Sequence, residues 1–292
     1  MKPAPFTYHA PTSTGEAVAL LAEFGDEAKP LAGGQSLVPM LALRLATFGH
    51  LVDLRRVEAL RGIERRADGG VRIGAGTTQA TIQRSEDIRT AIPLLARATP
   101  LIGHFQIRSR GTIGGSLAHA DAAAEYPAVA LTLDAELEAE SPRGSRTIPA
   151  AEFFTGVWST TLADDELLTG VNFPAWTGRC GYAVEEFARR NGDFAIAGAT
   201  VALRVAADGR LDRCAIGLFG LGPTATRARA AEAELLGHDP TAADPDELGL
   251  AAMEQLPSVP SDLHGSARYR TRVGAAMVAR AWRRAVQEAR HG

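Results

Sequence analysis

Apolar positions in the first third of the chain switch between two periods. Ala17, Leu20, Leu21 and Phe24 recur three and four apart behind Thr12 and Ser13, which predicts a short amphipathic helix with a hydroxyl cap. Apolar runs at 29–32 and 50–54 predict strands. Between them Gly33 and Gly34 turn the chain, and Ser36 is a candidate cap for a helix over 37–45. From residue 62 the pattern changes. Runs at 63–66 and 71–75 flank Asp68, Gly69 and Gly70, a hairpin signal. Helices are expected at 79–85, 92–102 and, rich in alanine, 122–133; strands are expected at 136–141 and 166–173. The last third predicts strands at 180–189, 196–205 and 210–218, then helices at 226–236, 245–255 and 268–290. The final helix carries Val273, Met277, Val278 and Trp282 on one stripe among arginines. That stripe fits a helix packed on a sheet, or one turned to a partner. The fold class expected is α+β: an α/β region over 1–175, in two parts of about 1–58 and 59–175, followed by sheet and helices over 176–292.

Composition supports a packed core, with 46% hydrophobic and 22% charged residues. A net charge of −3 provides no basic field for nucleic acid or an anionic membrane. Arg, Asp or Glu interrupts every apolar run, so no membrane span is expected, and the first residues lack a signal-peptide core. The expected location is the cytoplasm. The only cysteines, Cys180 and Cys214, cannot supply the four thiolates of an ordinary iron–sulfur cluster. A redox centre in this chain would therefore be organic, or would lie in another chain.

Two glycine pairs sit beside hydroxyl residues. The first runs Leu31, Ala32, Gly33, Gly34, Gln35, Ser36, Leu37. Glycine permits positive φ and lets backbone amides approach a ligand, and a helix N-terminus favours anions. The same residues also fit a plain strand-to-helix turn. No Gly-Lys-Ser/Thr follows, so this is not a P-loop, and no third glycine stands in Rossmann register. Asp53 falls near ribose-binding spacing but equally suits a structural role. The second pair runs Thr112, Ile113, Gly114, Gly115, Ser116, and one diphosphate gripped from two sides would account for both. Beyond it, Asp121 is placed to cap the alanine-rich helix, and Glu125, four residues on, would share its face. Both could accept bonds from sugar or ribityl hydroxyls, or serve only as cap and solvated acid. His119 could be a ligand, a base or a packed histidine.

At these residues the chain resembles the FAD-binding medium subunits of the molybdenum hydroxylases, which include carbon monoxide dehydrogenase, bacterial xanthine dehydrogenase and relatives acting on N-heteroaromatics. Their first loop reads A-G-G-x-S with a P-x-x-x-x-R-L-like stretch; here it is Ala32 to Ser36 with Pro39, Arg44 and Leu45. Their second reads T-I-G-G-S/N, then A-x-x-D-P; here it is Thr112 to Ser116, then His119, Ala120 and Asp121. The stretch from Phe187 through Arg189 and Asp193 to Ile196 resembles the motif opening their C-terminal domain. Asp262, His264, Tyr269 and Arg270 resemble its closing D-x-H…Y-R segment. The resemblance spans nearly the whole chain. Two departures stand out: Ala122 replaces a common proline, and Glu185 and Glu186 stand where relatives often carry a lysine near the flavin. Arg189 is a possible substitute for that lysine.

The resemblance implies a two-subdomain FAD domain of the PCMH or vanillyl-alcohol-oxidase type and an α+β C-terminal domain. It implies FAD with its diphosphate between the two loops, Ile102 among the cofactor contacts and Glu125 toward the ribityl or diphosphate region. Leu168 would pack on the flavin, with Arg189 and Asp193 near the isoalloxazine. No catalytic acid–base residue and no metal ligand is expected in this chain. The molybdenum cofactor would sit in a large partner subunit and [2Fe–2S] clusters in a small one, in a dimer of heterotrimers. This chain would relay electrons to an external acceptor. The alternative is a self-sufficient FAD-dependent oxidoreductase of the vanillyl-alcohol-oxidase or MurB type; a scaffold that has lost its cofactor sits poorly with intact glycine loops. The substrate and the acceptor, whether NAD, quinone, oxygen or a carrier protein, are not legible.

Overall fold

The structure, a computed structural model, describes residues 2–291. Three sheets follow one another along the chain. The first is a small parallel sheet of β1 (Thr7–His9), β2 (Ala28–Leu31) and β3 (His50–Asp53), with β3 in the middle. Helix α1 (Thr14–Phe24) begins where Ser13 Oγ accepts the Glu16 amide at 3.2 Å, and it buries Ala17, Val18 and Leu21. Helix α2 (Leu37–Ala42) is shorter than the 37–45 expected. The Arg44 amide closes a tight turn onto the Leu41 carbonyl, and Arg44 itself takes a left-handed φ of 57°.

The second sheet is antiparallel, in the order β4 (Ile63–Arg65), β5 (Val71–Gly74), β10 (Leu167–Phe173), β6 (Glu136–Ser141), β7 (Gly144–Pro149). Between β5 and β6 the chain forms α3 (Gln79–Arg84), α4 (Glu86–Ala91), α5 (Pro93–Ala98), α6 (Phe105–Arg108), α7 (Ile113–His119) and α8 (Glu125–Thr132). Between β7 and β10 it forms α9 (Ala150–Phe153) and a hairpin of β8 (Phe154–Gly156) and β9 (Ser159–Thr160). The helix expected over 92–102 ends at Ala98 and continues as a 3-10 turn, Thr99–Leu101, because Pro100 has no amide to extend the α ladder. The helix expected from Ala122 begins instead at Glu125. Ala120 adopts a left-handed φ of 52°, and the Asp121 carboxylate accepts the Ala123 amide at 2.9 Å, closing a turn. Asp121 therefore does not cap α8, whose first turn has no side-chain cap.

The third sheet is antiparallel, in the order β11 (Arg179–Phe187), β12 (Ala197–Val205), β13 (Leu211–Phe219), β14 (Thr226–Arg227), followed by α10 (Arg229–Leu235), α11 (Pro245–Glu254) and α12 (Ala267–His291). Helix α12 lies along β11 and β12 and buries Met277, Val278 and Trp282, so its apolar stripe faces the sheet. Every residue of α8 is buried. It packs on one side within the second sheet's core and on the other against β12 and β13, where Thr132 Oγ1 and Thr200 Oγ1 share a hydrogen bond of 2.7 Å. A charged clamp reinforces this junction. Arg97 on α5 donates two 2.6 Å bonds to Glu288 on α12 and a third to the Tyr182 carbonyl, while Glu288 accepts the Tyr182 amide at 2.9 Å. Among the described residues no helix is long and apolar enough to cross a membrane.

Candidate functional site

The two glycine segments meet backbone to backbone. A β-carbon on Gly33 would lie 2.7 Å from the Gly111 Cα, with the Arg110 carbonyl oxygen closer still. A β-carbon on Gly115 would touch the Ala32 side chain at 3.4 Å. The seam therefore leaves no room for a side chain at Gly33. Gly34 adopts φ +73°, a conformation that L side chains rarely take.

The segments contribute differently. In the first, among the described residues, the amides of Gly33, Gly34, Gln35 and Ser36 have no protein acceptor, although the whole segment is half-buried. The Gln35 side-chain Nε2 donates back to the Gly33 carbonyl at 3.1 Å. The Ser36 hydroxyl makes no capping bond, contrary to the expectation that it caps α2. Because α2 has only 6 residues, its dipole is weak, and the anion-binding capacity lies in the row of free amides.

The second segment is not a loop. Thr112 is the N-cap of α7, its Oγ1 accepting the Gly115 amide at 3.0 Å, and Ile113 to Ser116 form the first helical turn. The amides of Ile113, Gly114 and Ser116 are bonded to the carbonyls of Thr77, Ala75 and Thr112. Gly114 is a packing glycine: a β-carbon there would lie 2.7 Å from the Ala75 carbonyl oxygen and 2.8 Å from its Cα. The two segments thus differ: the second, expected as a loop, is the first turn of a helix. One segment offers amides; the other is the rigid wall behind it.

Glu125, the first residue of α8, is only 8% exposed. It does not share a helical face with Asp121, which lies outside the helix. Glu186 of β11 is near enough for its charge to act on the Glu125 carboxyl. Burial, followed by the charge of Glu186, pushes the Glu125 carboxyl up to about 8, and burial raises Glu186 to about 7. Glu186 Oε2 is buried with no partner. Adjacent strand residues point to opposite faces, so Glu185 turns the other way and pairs with Arg284 of α12 at 2.5 Å.

The remaining predicted residues are spread around these groups. Ile102 is half-buried, and Arg108 holds its carbonyl at 2.8 Å. The loop carrying Asp193 leans on this turn, with the Gly192 backbone packed against Gly103 and His104. Asp193 accepts from Arg190 at 3.1 Å, whereas Arg189 is exposed and among the described residues has no ion-pair partner. The Leu168 side chain is 5% exposed and belongs to the core of the second sheet. His119 stacks on Trp158 with centroids 6.1 Å apart, and burial lowers its pKa, so it is a packed neutral ring. Asp53 is structural: it accepts from Tyr8 at 2.5 Å and from the Arg55 amide and guanidinium. Burial pushes its carboxyl up, but the Arg55 and Tyr8 bonds outweigh that and hold it low. Among the described residues no cluster of three or more metal-ligating side chains occurs.

Sequence reasoning missed three features. Gln79 Oε1 is buried without a partner beside Gly111. Trp158 stands exposed at the tip of the β8–β9 hairpin. The Glu125–Glu186 pair had a legible signal, since two adjacent acids in an apolar strand must send one inward. An open groove of about 530 Å³ beside Arg72, Glu138 and Arg146 shares none of these residues; both of its arginines are already paired, Arg72 to Glu138 at 2.6 Å and Arg146 to Glu166 at 2.7 Å.

The free amides, the positive-φ glycine and the side-chain-free seam fit the diphosphate of a dinucleotide, and the carboxyls at the start of α8 suit a hydroxyl-rich chain. Residues 4–176 match the family described as FAD binding domain in molybdopterin dehydrogenase, and residues 182–285 match the CO dehydrogenase flavoprotein C-terminal domain. The alpha subunit of the 6-hydroxypseudooxynicotine dehydrogenase complex of Paenarthrobacter nicotinovorans is 43% identical over 99% of this chain and 97% of its own. The carbon monoxide dehydrogenase of Hydrogenophaga pseudoflava, solved in a form lacking the Mo-pyranopterin moiety, superimposes with a TM-score of 0.95 at 41% identity, covering 99% of each chain. Quinoline 2-oxidoreductase of Pseudomonas putida 86 superimposes with a TM-score of 0.91 at 34% identity, again over 99% of each chain. The row of unpaired amides thus sits in a fold shared end to end with these oxidoreductase subunits, and the chain belongs to the FAD-binding medium-subunit family of the molybdenum hydroxylases.

Proposed function

We propose that this chain is the flavin relay of a multi-subunit molybdenum hydroxylase, taking electrons from iron–sulfur clusters of a small partner and delivering them to an external acceptor. The observation that carries this is the half-buried row of unpaired amides from Gly33 to Ser36, closed behind by α7. FAD would supply a redox group that accepts electrons and passes them on. The protein's share is binding and orientation. Amides of the first segment, flanked by Leu31, Ala32 and Leu37, would bond diphosphate oxygens, each such charge-assisted bond contributing about 1.5–3 kcal/mol. Thr112, Ile113, Gly114, Gly115 and Ser116 would form the opposing wall. Asp121 and Glu125 would face the ribityl hydroxyls, and Ile102, Leu168, Arg189 and Asp193 would lie around the ring system.

In this reading the FAD domain spans 1–175 and the C-terminal domain 176–292. A large molybdenum-cofactor subunit and a small iron–sulfur subunit complete a heterotrimer that pairs into a dimer. Both cysteines are free thiols, as suits the cytoplasm. The substrate would bind in the large subunit. Purifying the full chain and adding FAD tests the reading: bound-flavin absorbance with quenched flavin fluorescence is the expected result, and no bound flavin at saturating FAD would defeat it.

A further inference from the structure

We infer that Arg270, braced by Asp262, is a positioning residue: it fixes the loop between β11 and β12, which carries Arg189 and Asp193, against the turn that carries Asp121. This rests on the FAD reading above, which puts Arg189 and Asp193 around the ring system.

Arg270 stands in the first turn of α12 and is only 4% exposed. Its Nη1 donates to the Ile196 carbonyl at 2.6 Å and to the Gly220 carbonyl at 2.9 Å. Its Nη2 donates to Asp262 Oδ1 at 2.7 Å and Oδ2 at 2.6 Å. Nε, also buried, has no acceptor. Asp262 is itself pinned, because its Oδ1 accepts the His264 amide at 2.8 Å and the Gly265 amide at 3.2 Å. These residues form the closing D-x-H…Y-R stretch, to which the FAD reading alone gives no role.

The two carbonyls belong to different sides of the pocket. The Ile196 amide returns to the Phe187 carbonyl at 2.8 Å, so residues 188–195 form a closed excursion from the third sheet. Gly220 follows β13, and its amide donates to the Ala122 carbonyl at 2.7 Å, one residue past Asp121. Only glycine suits that place: φ is +70°, and a β-carbon would lie 2.7 Å from the Ala195 carbonyl oxygen. One guanidinium thus joins, through main chain, the base of the 188–195 loop to the turn before α8. The middle of the loop is stopped by Gly192 packing on Gly103 and His104, beside Ile102. Held at its base and its middle, the loop presents Arg189 and Asp193 in one position before a ligand enters.

Arginine suits this place because its planar fork reaches several acceptors at once, whereas a lysine ammonium is a single point. Asp262 balances the buried charge. Asp262 is 44% exposed, and an asparagine there could still accept the His264 and Gly265 amides, so Asp262→Asn is the mild variant. Arg270→Lys is the stronger one.

A loop in place only about one time in ten would weaken FAD binding about tenfold. ADP has the diphosphate but no flavin ring, so it gains nothing from the loop. The test titrates the natural full chain, Asp262→Asn and Arg270→Lys with FAD by fluorescence and with ADP by calorimetry. FAD affinity should fall about tenfold in Arg270→Lys and less in Asp262→Asn, with ADP affinity unchanged. The visible circular dichroism of bound FAD should change in both. Equal losses for FAD and ADP, the mark of a general loosening, would overturn the inference. So would an unchanged FAD affinity and spectrum in both variants; neither result touches the FAD reading. If Arg270→Lys does not fold, Asp262→Asn decides alone. If the natural chain binds no FAD, that reading fails, and amide hydrogen exchange of the ligand-free chain judges the clamp. Faster exchange confined to residues 187–196 and 220–222 in Asp262→Asn supports it; exchange that is unchanged, or raised throughout the chain, sinks it.

Discussion

Gly33 and Gly111 are so close that a β-carbon on Gly33 would sit 2.7 Å from the Gly111 Cα. The seam is therefore main chain against main chain, and its properties depend on what flanking groups leave unbonded.

Ser36 separates binding from folding. Its hydroxyl caps nothing, so Ser36→Ala should leave the flavin-free chain within about 0.5 kcal/mol of the parent in urea unfolding. FAD affinity should fall about tenfold, the equivalent of ~1.4 kcal/mol, in a fluorescence titration. Unchanged affinity would remove Ser36 from the site.

Gly114 behaves in the opposite way. A β-carbon on Gly114 would strike Ala75 behind α7. Gly114→Val should destabilise the flavin-free chain by about 3 kcal/mol or more, the upper range for overpacking a close contact. A normal urea midpoint would mean that α7 and Ala75 do not pack as described.

The carboxyl pair makes stability depend on pH with a defined sign. Both carboxyls have pKa values raised above 4.5 on folding, so the native state holds more protons than the unfolded chain. Their stabilisation is full below about 4.5 and is lost as pH rises through 7 to 8. Carboxylates with depressed values, such as Glu288 and Asp262, act with the opposite sign at lower pH. Glu186→Gln should therefore be more stable than the parent at pH 9 and converge with it near pH 5, in paired urea melts.

The Arg97–Glu288 clamp is partly exposed, at 42% and 34%, which limits its worth. Arg97 also holds the Tyr182 carbonyl, however, and Glu288 the Tyr182 amide. Arg97→Ala should cost about 1–2 kcal/mol, and the loss should shrink in a Glu288→Gln background, the signature of coupling in a double-mutant cycle.

Much of the fold was legible because strand alternation is a local signal. The strand expected at 136–141 is observed as Glu136–Ser141, and the three strands expected in the third sheet shift by at most two residues, whereas 226–227, expected to open a helix, form its short edge strand. Helix starts were harder. Asp121 looks like a cap, yet the left-handed Ala120 diverts the chain so that its carboxylate closes a turn instead. The site was half legible. Two Gly-Gly pairs beside hydroxyls read alike in one dimension; only the position of Ala75 makes Gly114 a packing residue, while the amides of the first segment have no protein acceptor among the described residues. Glu125 opens α8 and Glu186 lies on β11, and no local pattern brings them together.

Helix α8 has a final consequence. Wholly buried, it serves as interior filling for both halves of the molecule at once. Severing the polypeptide near residue 176 would leave α8 with its side toward β12 and β13 bare, an apolar surface that invites aggregation. The halves should thus be inseparable as soluble fragments, and a hinge between them has nowhere to form. A partner that docks on either half meets the pocket at one fixed orientation.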